Sequence, residues 1–168
     1  MRGISWKALP IATIAYAVVL VFAVALIHAA AAIVALASHG RAASRAFDAF
    51  AASPAAFIFE ISISLIAASL AAGYLAARTA KRQHWLNGTL ATIGPTLLSL
   101  YGLTHGLLFD EADDLGPWLH AMTNVVIFVG GPMMGAFGGY LAELRQAQIE
   151  AMTSEDRVAH DAAALKAS

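Results

Sequence analysis

The chain has 168 residues, of which 60% are hydrophobic and 12% charged, and its mean hydropathy is +0.70. Soluble domains carry about 25% charged and about 45–50% apolar residues, so the composition excludes an ordinary water-soluble globule and makes a lipid bilayer the expected surrounding. With no cysteine there is no disulfide framework, thiolate metal site or thiol nucleophile, and a net charge of −1 offers no basic field for nucleic acid.

A bilayer-crossing helix needs roughly 20 mainly apolar residues, and four segments satisfy this. The first runs from Leu9 to Leu36 and is interrupted only by Thr13, Tyr16 and His28. Arg2 and Lys7 before it and Ala35-Leu36-Ala37 at its end resemble a cleaved signal peptide, but the apolar run is far longer than the ~7–15 residues of such a segment. The stretch from Ser38 to Ser53 sets Arg41, Arg45, Phe47 and Phe50 among alanines, as in a short amphipathic surface helix. The second span, Ala55 to Ala77, opens after Ser53-Pro54, where proline is tolerated. The third, Trp85 to Leu108, contains Gly94-Pro95, and the fourth, Trp118 to Leu141, contains Gly130-Gly131-Pro132; both are expected to bend. The fourth helix should continue to Met152, with Thr153 or Ser154 capping a second short helix.

Basic flanks stay cytoplasmic. Arg2 and Lys7, then Arg78, Lys81 and Arg82, then Arg145 fall on one side, whereas Arg41 and Arg45 in the first loop and Asp110, Glu111, Asp113 and Asp114 in the second fall on the other. Both termini are therefore expected in the cytoplasm, with Trp6, Trp85 and Trp118 at the interfaces. The expected fold is all-α: a four-helix transmembrane bundle over 1–145 with a cytoplasmic helical tail over 146–168.

The second span ends in Gly73-Tyr74-Leu75-Ala76-Ala77-Arg78 and the fourth in Gly139-Tyr140-Leu141-Ala142-Glu143-Leu144-Arg145. Two readings stay open: two parallel-repeat hairpins, or convergent use of glycine for packing and of tyrosine and arginine for anchoring. Gly131, Gly135 and Gly139 recur every fourth residue, as do Ser69, Gly73 and Ala77. Small residues at this spacing let backbones approach closely, so these two faces are expected to pack against each other or against another subunit.

The run Ala72-Gly73-Tyr74-Leu75-Ala76-Ala77-Arg78-Thr79-Ala80, followed by His84-Trp85-Leu86-Asn87-Gly88, resembles the central hairpin of small four-helix bacterial integral membrane proteins of uncharacterised function. Asn87 stands where histidine is more often expected. The resemblance covers about 30 residues of packing motif and implies a multi-pass protein of the bacterial inner (plasma) membrane, with no catalytic residue.

Ionisable groups in a span are costly and serve as functional hypotheses. His28, Glu60, His105, His120 and Asn124 fall at similar depth near the outer side of the expected topology. They could form a proton or cation pocket, or the histidines could ligate haem or a metal with Glu60; no His-x-x-His or Glu-x-x-His spacing supports the latter. The plain alternative has Glu60 and His120 among headgroups, His105 capping or snorkelling, and His28 bonded to a neighbouring carbonyl. Thr96, Ser99, Ser62, Ser64 and Ser69 could line a polar seam, and no phosphate loop, nucleophile elbow or HExxH motif occurs. The sequence thus favours a non-enzymatic accessory or scaffold subunit without cofactor, associating with itself or with a larger membrane complex through the glycine-rich faces. A small oligomeric transporter or channel is the alternative, and a haem-binding subunit a lesser one.

Overall fold

The computed structural model describes residues 5–80, 84–104 and 117–167, and every described element is helical. Helix α1 spans Ala8–His39, a 3-10 turn Gly40–Ala42 leads into α2 at Ala43–Ala51, and α3 spans Pro54–Thr79. Helix α4 spans His84–Thr104, α5 spans Pro117–Val125, a π-turn covers Val126–Gly130, and α6 runs over Gly131–Ala167.

Local chemistry accounts for the boundaries. Gly40 ends α1 at φ +51°, a conformation that favours glycine, and its N–H bonds the Leu36 carbonyl. Ser53 caps α3, its Oγ accepting from the Ala56 N–H at 3.2 Å, with Pro54 preset for the first turn. At the other end of α3 the Thr79 hydroxyl donates to the Ala76 carbonyl at 2.9 Å. His84 Nδ1–H donates to the Ala77 carbonyl at 2.8 Å, tying the start of α4 to the end of α3. Asn87, fully buried on α4, accepts the Ser5 N–H at 2.9 Å through Oδ1 and so anchors the approach to α1.

Two local features shape the last helices. At the Gly130-Gly131-Pro132 step, where a bend is expected, the helix takes a π-turn over Val126–Gly130: proline has no N–H and its ring collides with the carbonyl four residues earlier, and the wider turn relieves both problems. The tail has no second helix start, because the Thr153 and Ser154 hydroxyls donate to the Ile149 and Ala151 carbonyls, at 2.8 and 2.7 Å, and leave α6 continuous to Ala167.

Helix α3 occupies the centre, packed against α1, α4 and α6, while α6 also packs along α4. Its buried face, Phe57, Ile61, Leu65, Ala68, Ala72 and Ala76, meets Ala8, Ala12 and Tyr16 of α1, Ala91 of α4 and Ile127 of the π-turn. Three segments are long and apolar enough to cross a membrane: Ala8–Ala51, Pro54–Thr79 and Ala121–Ser154. Helix α4, expected as a fourth such span, falls short of that standard over its described residues. The cause is polar dilution by Asn87, Thr89, Thr92, Thr96 and Ser99. Of these, Asn87, Thr92 and Thr96 are buried, whereas Leu97, Leu98 and Tyr101 are exposed.

The small-residue faces meet inside the chain. A side chain on Gly73 or on Gly88 would run into the Gly135 carbonyl. A methyl on Gly135 would lie 2.5 Å from the Thr92 hydroxyl and 2.7 Å from the Gly88 carbonyl. Gly131 faces Thr96, and Gly139 faces the backbone of His84 and Trp85. The 131/135/139 stripe therefore runs along α4, with Gly135 at a junction of three helices. Ser69 and Ala77 are fully buried on the same side of α3 as Gly73. Gly135→Ala is expected to cost at least about 1–3 kcal/mol through backbone overpacking, whereas Gly130→Ala, which meets nothing within 4 Å, should stay within about 1 kcal/mol. Reversible unfolding in mixed micelles measures both, and equal behaviour of the two variants would contradict the junction.

Candidate functional site

The polar residues gather in two places. The first lies where α1 approaches its end and α3 begins. His28 Nδ1–H donates to the Val24 carbonyl of its own helix at 3.1 Å, and Glu60 Oε1 stands 3.5 Å from the same nitrogen. A carbonyl can only accept, so the proton on this side of the ring belongs to Nδ1. The side chain of Glu60 is 16% exposed and that of His28 43%. The Phe47 ring, on the apolar side of α2, stands 6.1 Å from the imidazole at 59°. Beside this pair α1, α2 and α3 border an open apolar groove of about 380 Å³, lined by Ile27, Val34, Phe47, Phe50 and Phe59 among others. Within the Ser38–Ser53 stretch only Ala43–Ala51 forms the short amphipathic helix, with Arg45 and Asp48 on its exposed side.

Only part of the expected five-residue cluster is brought together. His28 and Glu60 pair directly. Asn124 lies on α5 with Oδ1 buried and unpartnered, and among the described residues no hydrogen bond or ion pair joins it to Glu60 or His28. His105 lies outside the described residues, and of His120 only the backbone, in α5, is described. Among the described residues no three His, Asp or Glu side chains gather as a metal site would require.

The second place is the interior. The Tyr16 hydroxyl reaches from α1 toward the hydroxyls of Ser69 on α3 and Ser99 on α4, yet closes a hydrogen bond with neither. Ser64 Oγ, Ser69 Oγ and Thr96 Oγ1 are likewise buried without a partner. Thr92, in contrast, donates to the Thr89 carbonyl at 2.9 Å. Ser64, Ser69 and Thr96 belong to the polar seam anticipated from the sequence, while Ser62 is only half-buried. Tyr16 was visible in the sequence as an interruption of an apolar run, but nothing in the spacing placed it opposite Ser69. Gly88 and Gly138 also escaped the four-residue pattern. Gly138 faces the Leu70 carbonyl and the Tyr74 N–H, and the sequence signal for it is the Gly138-Gly139 doublet.

A partly exposed ion pair contributes little. A double-mutant cycle on His28→Ala and Glu60→Gln, read by unfolding free energy, is expected to give a coupling of about 0.2–1 kcal/mol; zero coupling would show that the two side chains do not interact. No protein-family model matches the chain, and no curated protein or solved structure matches it significantly.

Proposed function

We propose that this chain is a small multi-pass integral membrane protein acting as a non-enzymatic accessory or scaffold subunit, assembled with further copies of itself or with a larger membrane complex. Support for the membrane setting comes from inverted polarity. Helix α1 buries only Ala8, Ala12, Tyr16 and Ala35 and leaves Ile14, Val18, Val21, Phe22, Leu26 and Ile33 exposed. Helix α4 buries Asn87, Thr92 and Thr96 and exposes Leu97 and Leu98. Water would penalise both arrangements, whereas hydrocarbon favours them. In this reading α4 is the fourth span, its polar side chains shielded by α6 and α3, and the charge distribution puts both termini in the cytoplasm of a bacterial cell.

The observation that supports the scaffold role is the open apolar face of α1, since at Gly73, Gly88 and Gly135 backbone meets backbone within the one chain. Because that junction uses the glycine-rich faces within one chain, association falls instead to the open face of α1. A second reading, a proton or cation transporter acting as an oligomer, is favoured by the His28–Glu60 pair and the unpartnered hydroxyls of the interior.

The absence of cysteine allows single-cysteine labelling without background. In intact cells Ser44→Cys should react with an impermeant maleimide and Ser154→Cys should not; the opposite pattern would invert the topology. Val21→Cys on the open face of α1 should form cross-linked species under mild oxidation, and Ala72→Cys, fully buried, should form none. A monomeric mass together with no Val21→Cys product would overturn the scaffold reading, and liposome flux abolished by Glu60→Gln would establish the transporter.

A further inference from the structure

The repeated glycine-tyrosine-leucine-alanine motif has a second consequence at the opposite end of the bundle from His28. Beyond Gly139, α6 continues past the last turn of α3, and the two helices bound a cleft of about 610 Å³, within the range of about 300–1,000 Å³ common for small-ligand sites. Tyr74 and Arg78 of the first motif line it from α3; Arg145 of the second lines it from α6, with Gln146 and Glu150. Arg145 Nη1 donates to the Tyr74 hydroxyl at 3.2 Å, so one copy of the motif orients the arginine of the other. Glu150, the only carboxylate of the lining, accepts from Gln146 Nε2 at 3.2 Å. Among the described residues no carboxylate lies within 4.0 Å of either guanidinium. Two arginines thus face one carboxylate, beside an apolar floor that includes Ala142 and Ile149.

A planar guanidinium fork suits phosphate oxygens, which it can engage through paired charge-assisted hydrogen bonds. We infer that the cleft between Arg78 and Arg145 binds a phosphate ester, and that the ester is the headgroup of an anionic phospholipid. The lipid source rests on the membrane reading above, which puts this cleft at headgroup level on the cytoplasmic side. The apolar floor then receives the glycerol and the first acyl carbons, contacts a soluble phosphate ester would not need.

The test uses the full-length chain in phosphatidylcholine nanodiscs containing a minor fraction of phosphatidylglycerol, with retained lipid counted by native mass spectrometry. The wild type should retain phosphatidylglycerol in preference to phosphatidylcholine. Arg78→Gln and Arg145→Gln should each lower that retention about fivefold, the effect of one basic contact at an anionic surface. Tyr74→Phe, which removes only the hydroxyl that orients Arg145, should lower it less. Arg157→Gln, at an exposed cation of α6 outside the cleft lining, should leave it unchanged. Circular dichroism melts establish that each variant is folded. Equal retention of the two lipids by the wild type, or a loss in Arg157→Gln as large as in Arg145→Gln, overturns the lipid site. Calorimetric titration of glycerol phosphate into protein in pure phosphatidylcholine discs covers the soluble source: saturable binding lost in Arg145→Gln, with no lipid preference, overturns the headgroup assignment in favour of a free ester. Extraction of cell membranes at alkaline pH tests the membrane reading separately. A chain that washes off refutes that reading, while the phosphate titration still decides the chemistry of the cleft.

Discussion

The close approach of three helix backbones at Gly135 is the constraint on which the rest of the bundle depends. A carbonyl on α6 is met from one side by Gly73 of α3 and from another by Gly88 of α4. Once that contact exists, the antiparallel run of α4 along α6 follows, with Thr96 against Gly131, Thr92 against Gly135 and His84 against Gly139. Association in hydrocarbon draws mainly on van der Waals contact and on hydrogen bonds rather than on expulsion of water. Glycine provides the first by removing the atom that would keep the axes apart. In the proposed membrane setting this is the interaction that makes one compact unit of helices already hydrogen-bonded along their own length.

The same geometry explains why the polar side chains lie inside. Threonines on α4 need a neighbour without a side chain if their hydroxyls are to be enclosed, and the glycine stripe of α6 supplies one. Thr92 turns its hydroxyl back to the Thr89 carbonyl, a local solution available to any helix. Thr96, Ser64, Ser69 and Tyr16 have no such partner, and an unpaired buried hydroxyl is unfavourable. That combination marks the interior as the place where polar function would be sought under the transporter reading. Under the scaffold reading it is a set of hydroxyls whose main role is to fit beside glycine. The His28–Glu60 pair stands apart from it, half open at the margin of α2.

Much of the helical layout could be read from residue order. Long apolar runs, Ser53-Pro54 as a helix start and the phenylalanine spacing of α2 are local signals, and local hydrogen bonding enforces them. The spacing of Gly131, Gly135 and Gly139 puts them on one face, because four residues return to the same side of a helix, and in the fold that face lies along α4. It could not say that the partner would be α4 as well as α3. The candidate site was less legible. His28 and Glu60 stand out in the sequence by their cost within apolar segments, and the fold places them together. Asn124 stands out on the same ground, yet nothing in the described contacts ties it to them. Thr153 and Ser154 were misleading, since a hydroxyl that can cap a helix start can equally bond back to the turn before it.

The sequence alone determined that the chain is helical and unusually apolar, where most helices begin and end, and which faces carry small residues. Those properties arise from interactions within a few residues of each other, so no tertiary information is needed to read them. Only the tertiary structure decided that Gly135 serves two neighbours at once, that Asn87 holds the approach to α1, that α4 turns its polar side inward, and that Arg145 reaches Tyr74. Each of these joins groups far apart in the chain, and their partners are set by how helices cross and slide against one another, which spacing along a single helix does not specify.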